Sequence, residues 1–87
     1  MQNYPNPFNP ETMIRFYLPE HNNIELDIYN VKGEKIKTIF SGYLQSGYQS
    51  IKWNGTGDSG LPLSSGIYII SLKYNNKSIN SKMVKLK

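Results

Sequence analysis

The sequence predicts an all-β domain, and three observations carry that expectation. The aromatic share is 13%, with seven Tyr, three Phe and one Trp, while Ala is absent; aromatic and β-branched residues suit a pleated surface, and Ala suits a helix. Apolar and polar residues alternate with a period of two through several segments, and none shows a helical period. Clusters of Gly, Pro and Asn separate these segments at intervals of about 10–14 residues. At 87 residues the chain is one small domain with a thin stability margin.

The first eleven residues read as a lead-in or cap. Asn3–Pro10 places prolines at Pro5, Pro7 and Pro10, each fixing its own φ and pushing its predecessor to extended geometry. Such a segment excludes helix and offers Tyr4 and Phe8 as apolar plugs for one end of a sandwich. Residues 12–87 form the sandwich itself. In Thr12–Leu18, Ile14, Phe16 and Leu18 share one face, and Met13, Arg15 and Tyr17 share the other. Pro19 and the run Glu20-His21-Asn22-Asn23 break that strand. Ile24, Leu26 and Ile28 then alternate with Glu25, Asp27 and Tyr29 as a half-buried strand. Asn30-Val31-Lys32-Gly33 suits a type I turn with a left-handed Gly33. Glu34–Phe40 returns as the hairpin partner, with Lys35 and Lys37 facing water beside Ile36.

Gly42 and Gly47 mark the next connection, after which Gln49, Ile51 and Trp53 line one strand face. Residues 54–66 hold four of the seven glycines and form a turn-rich loop. Ile67–Tyr74 is apolar on both faces at its start, as a central strand is. Asn75-Asn76 is a tight turn, and Lys77–Lys87 closes the domain. Ile79 is odd while Val84 and Leu86 are even, so a bulge or bend is expected between them. Six to seven short strands in this order predict an antiparallel β-sandwich of immunoglobulin-like type.

Composition removes several functions. There is no Cys, hence no disulfide framework, thiolate metal site or Cys nucleophile. No apolar run approaches the ~20 residues of a membrane span, and the N-terminus lacks the pattern of a signal peptide. The chain reads as a module of a larger protein. Ten Lys+Arg against six Asp+Glu give +4, with Arg15 the single Arg; nucleic-acid readers lean on Arg, so no nucleic-acid partner is expected. Five of the ten cations, Lys73, Lys77, Lys82, Lys85 and Lys87, follow residue 72.

No catalytic constellation assembles. His21 stands alone in a turn. Glu25 and Asp27 lie about 6.5 Å apart on one strand face and read as a solvated pair. Asn54, Thr56 and Asp58 space oxygen side chains as a calcium loop does, but with one carboxylate where such sites need two or three; they are a weak calcium candidate. The residues alone describe a binding or structural module without catalysis or cofactor.

Several motifs resemble a known family. Tyr4-Pro5-Asn6-Pro7-Phe8-Asn9-Pro10-Glu11-Thr12, Ile14-x-Phe16-x-Leu18-Pro19 and Ile28-Tyr29-Asn30-x-x-Gly33 are similar to the type IX secretion C-terminal sorting domain. So are Gly47, Trp53-Asn54-Gly55, Ser65-Gly66-x-Tyr68 and the closing Lys82-Met83-Val84-x-Leu86-Lys87, all in the family's order. The related Ig-like domain of the flagellar hook-capping protein shares the tryptophan loop and the Ser-Gly-x-Tyr region. The family's tryptophan element more often carries acids where Asn54 and Thr56 stand, which lowers the calcium expectation further.

The resemblance implies a C-terminal address on a larger secreted protein of Bacteroidetes-type bacteria. An outer-membrane translocon reads it, and a sortase-like protease commonly removes it. The cargo passes through the periplasm to the cell surface or medium. The expected reading edge is Lys82, Met83, Val84, Lys85, Leu86 and Lys87. Tyr4, Pro5, Pro7, Phe8, Gly33, Trp53, Gly66 and Tyr68 are expected to be structural, and the module is expected to be a monomer or weak dimer. Two alternatives stay open: a structural spacer, and a carbohydrate- or surface-binding sandwich using Tyr17, Tyr43, Tyr48 or Tyr74 as a platform.

Overall fold

The computed structural model describes residues 1–86. Seven strands form: β1 (Gln2–Tyr4), β2 (Thr12–Leu18), β3 (Asn22–Asn30), β4 (Lys35–Leu44), β5 (Gly47–Trp53), β6 (Gly66–Tyr74) and β7 (Lys77–Lys85). They make two antiparallel sheets, ordered β1-β2-β5 and β4-β3-β6-β7, which is the expected immunoglobulin-like sandwich. The period-two pattern decides the layers. Ile14, Phe16, Leu18 and Trp53 of one sheet face Ile24, Leu26, Ile28, Tyr68, Ile70, Leu72 and Met83 of the other, and all are buried.

Both expected tight turns form. The Gly33 amide donates to the Asn30 carbonyl at 3.0 Å with Gly33 at φ 85°, and Asn75 and Asn76 both adopt left-handed backbone, as a two-residue hairpin joining right-twisted strands requires.

Four local expectations are corrected. Tyr4 is no plug: Gln2–Tyr4 pairs with Met13–Arg15 as an edge strand, so alternation turns Asn3 inward and leaves Tyr4 69% exposed. Asn3 is buried because its amide donates to Thr12 Oγ1 at 3.2 Å and to the Pro5 carbonyl at 3.3 Å. Phe8 does plug the core.

Lys35 and Lys37 do not share a water-facing side. Register shifts in the β3–β4 pairing leave Ile36 and Ile39 as extra residues, setting Lys35 opposite Tyr29 and Lys37 opposite Ile28. A bulge at Ile36 reverses the parity between the two lysines. Lys37 then reaches over the loop, donating to Thr56 Oγ1 and to the Gly57 carbonyl, both at 3.4 Å.

β4 runs on to Leu44, so Gly42 lies within a strand, and only Gln45-Ser46 joins it to β5. Finally, β7 contains no bulge: its register with β6 is continuous from Lys77 to Lys85. Odd residues face inward throughout, which buries Met83 and Lys85 and turns Val84 outward.

Candidate functional site

Several of the motif residues converge on one corner. Trp53 ends β5 with its ring buried between Phe8, 5.4 Å away centroid to centroid, and Tyr68, 6.0 Å away and nearly perpendicular. Tilted and edge-on aromatic pairs of this kind add to the burial of their area. Each polar edge is satisfied: Trp53 Nε1 donates to the Thr56 carbonyl at 2.9 Å, and Tyr68 Oη to the Ser64 carbonyl at 2.7 Å. Those two bonds hold the loop between β5 and β6 at both ends. Gly55 sits in that loop at φ 78°, and a Cβ there would lie 2.5 Å from the Pro10 carbonyl oxygen and 2.9 Å from Lys85 Cε. The close approach of two backbone segments therefore requires glycine.

The last strand meets the lead-in at the same corner. Phe8 forms a parallel bridge with Lys85. Its amide donates to the Val84 carbonyl at 3.0 Å, and its carbonyl accepts from the Leu86 amide at 2.8 Å. Asn6 Oδ1 accepts from the Val84 amide at 3.0 Å. The end of β7 is thus clipped along its outer side by Asn6–Phe8.

This clip corrects the expected reading edge. Met83 is core. Lys85 is 5% exposed, its stem against Gly55 and its ammonium donating to the Leu86 carbonyl at 3.4 Å; a long stem that covers apolar surface while keeping one polar contact explains a buried lysine. Val84 and Leu86 spend their outward backbone groups on the clip. Of the six residues named from sequence, Lys82 and Leu86 are exposed and Val84 is half-buried; Lys87 lies outside the described residues. Asn6 was legible only as part of a proline motif, and nothing in the sequence marked its amide as a partner for Val84.

Asn54 and Thr56 of the calcium candidate are brought together, but by bonding each other. Asn54 Oδ1 accepts from Thr56 N at 3.2 Å and from Thr56 Oγ1 at 2.6 Å. The Lys37 ammonium already stands at Thr56 Oγ1, and the Asp58 backbone amide donates to the Ile36 carbonyl at 3.1 Å. Among the described residues, no group of three His, Cys, Asp or Glu is placed to hold a metal ion. His21 lies beside Tyr43, rings 5.8 Å apart. Tyr17 and Tyr48 pair at 5.0 Å on the outer face of the three-stranded sheet, whereas Tyr43 and Tyr74 belong to the other sheet. The four tyrosines do not share a platform.

The pair Glu25 and Asp27 is not simply solvated. Asp27 is fully buried on the outer side of the four-stranded sheet. Lys73 Nζ lies 3.2 Å and Lys35 Nζ 4.0 Å from its carboxylate, and Thr38 Oγ1 donates to it at 2.8 Å; Lys73 also donates to Tyr29 Oη. Burial raises the Asp27 carboxyl pKa, but hydrogen bonding with Glu25, Thr38 and Lys73 and the charge of Lys35 outweigh it, so the net shift is downward. A carboxyl whose folded pKa lies below its unfolded value adds stability above about pH 4 that is lost as pH falls through the folded value. The urea midpoint of the native chain is therefore expected to drop more steeply between about pH 5 and pH 2 than that of Asp27→Asn. Equal drops would remove Asp27 from the acid response.

Solved structures share this fold. PorU from Porphyromonas gingivalis, described as a dimeric latent form, superposes with a TM-score of 0.80 at 18% identity, over 98% of this chain and 9% of PorU. FlgD from P. aeruginosa gives 0.69 at 22% identity, over 85% of this chain and 58% of FlgD. PorZ, an essential surface component of the type IX secretion system of Porphyromonas gingivalis, gives 0.65 at 20% identity, over 99% of this chain and 11% of PorZ. The chain thus spans about a tenth of the two Por proteins, and at these identities the likeness is one of fold. No curated protein matches it by sequence. The family described as the FlgD Ig-like domain matches residues 8–78, from the Phe8 plug through the tryptophan corner into β7, and the chain therefore belongs to the FlgD Ig-like domain family.

Proposed function

We propose that this domain is a non-catalytic address that directs a larger secreted protein through a type IX secretion system to the cell surface or medium, where an outer-membrane translocon and a sortase-like protease act on it. The observation that carries the reading is the corner at Trp53: four of the motif pieces resembling the sorting family, around Phe8, Trp53, Tyr68 and Val84, meet there, and Asn6–Phe8 clips the last strand. The fold likeness to domains within PorU and PorZ supports the same reading. Membership of the FlgD Ig-like family favours one alternative, a structural spacer.

The test is export of a reporter carrying residues 1–87 at its C-terminus, compared between a host with an active type IX system and the same host lacking its translocon. Surface or medium delivery in the first and periplasmic retention in the second is the expected result. Equal distribution in both would leave the spacer. Removing residues 82–87 is a poor probe of recognition, because it takes Met83 from the core and Lys85 from the clip; that variant is expected to lose its β-sheet circular dichroism.

A further inference from the structure

We propose that the open stretch of β7, Ser78–Lys82, docks an extended acidic segment of a partner protein, which adds as a fifth strand to the four-stranded sheet. The proposal names the surface through which the address proposed above is read, and it rests on that reading for its biological setting.

The backbone supplies the first argument. Val84 directs its carbonyl to the Phe8 amide and its amide to Asn6, and Leu86 directs its amide to the Phe8 carbonyl, all away from β6. Residues two apart on a strand point their backbone groups the same way, so Ser78, Asn80 and Lys82 direct theirs outward too. Among the described residues no backbone group meets them. The clip at Val84 and the turn at Asn75-Asn76 bound this stretch, fixing a site of about five residues, roughly 16 Å long. Unpaired edges of this kind accept strands by main-chain bonding, with side chains setting the choice of partner.

Charge and shape supply the choice. Lys77 and Lys82 are exposed, and among the described residues neither forms an ion pair, whereas Lys52 on the β5 edge has Glu11 at 3.7 Å. Beside the open stretch, on the outer side of the sheet, lies a shallow concavity of about 630 Å³ with Tyr29, Ile67 and Ile69 in its lining and Ser78, Asn80 and Lys82 toward the edge. No carboxylate lines it. An incoming strand with an acidic residue beside Lys82 gains a cross-strand ion pair, and its alternate apolar residues turn to the other face, on the side of the exposed Ile79. A second copy of this chain brings its own lysines to the same edge, and like charges opposed across a strand pair are unfavourable. The same lysines that deter self-association therefore admit an acidic strand.

Two measurements test the proposal. In the first, the 87-residue protein is mixed with a Val-Glu-Val-Glu-Val-Glu peptide or its Val-Lys counterpart, and amide exchange is followed by nuclear magnetic resonance. The acidic peptide is expected to protect the amides of Ser78, Asn80 and Lys82, and Lys82→Glu to weaken binding by about tenfold or more. No protection of those amides, equal binding of the lysine peptide, protection on β4 or β5, or a dimer of the protein formed through this edge would each overturn it.

The second uses the reporter. Asn80→Pro removes an amide that points away from β6, a change edge strands tolerate, and a thermal melt checks that the fold persists. Export is expected to fall about tenfold or more. A folded Asn80→Pro tag exported like the native one would overturn the docking edge while the address reading stands. A native tag that is not exported, with the acidic peptide still protecting Ser78–Lys82, would overturn the address and leave the edge.

Discussion

Trp53→Ala is expected to destabilise the domain by about 3–5 kcal/mol, the cost of emptying a buried aromatic site. A chain of this size holds roughly 4–13 kcal/mol in all, so the loss is a large share of its stability. The loss has two parts. Phe8 and Tyr68 lose the ring between them, and the Thr56 carbonyl loses its donor, freeing the loop that places Gly55. Trp53→Phe separates the parts, since it keeps most of the volume and drops only the hydrogen bond; about 1–2 kcal/mol is expected. Urea unfolding followed by circular dichroism reads both. A loss below about 1 kcal/mol for Trp53→Ala would mean that the corner does not hold the sheets together.

Gly55→Ala has the second largest expected effect, because it combines two penalties. A positive φ disfavours any L-residue, and here the added carbon would meet a backbone oxygen at 2.5 Å, which a side-chain rotation cannot relieve. At least about 2 kcal/mol is expected. Gly60→Ala is the matched control: its φ is 85°, and a Cβ there meets nothing within 4 Å, so only the backbone penalty of about 1 kcal/mol applies. If the two variants unfold at the same urea concentration, the packing of Pro10 and Lys85 on Gly55 contributes nothing.

Local pattern made much of this fold legible, and the misreadings share a cause. β2 has the limits its alternation predicts, and the turns at Gly33 and Asn75-Asn76 follow from residue types that accept left-handed backbone. Alternation says which residues share a face; it does not say which face is covered when both are mixed. In β7 the odd positions hold Ile79, Ser81, Met83 and Lys85, and the even ones Asn80, Lys82, Val84 and Leu86. Each series mixes apolar with polar residues, so burial was decided by contacts remote in sequence. Lys35 and Lys37 were misplaced for a related reason: a bulge at Ile36 depends on the pairing with β3 and leaves no mark in β4 itself. The candidate site suffered most, since the burial of Lys85 depends on its packing at Gly55 and the outward backbone of Ser78, Asn80 and Lys82 on the register of β7 with β6.

The clip between Phe8 and Val84–Leu86 also ties the state of the domain to the presence of its seventh strand. Its partners stand nearly at opposite ends of the domain, so it is among the last contacts that the domain can make during synthesis and among the most costly in loop closure. A chain stopped short of Val84, whether by unfinished synthesis or by proteolysis, presents Phe8 without its partner strand and β6 with part of its edge bare. The folded corner is thus a physical record that this domain has been made through to its seventh strand.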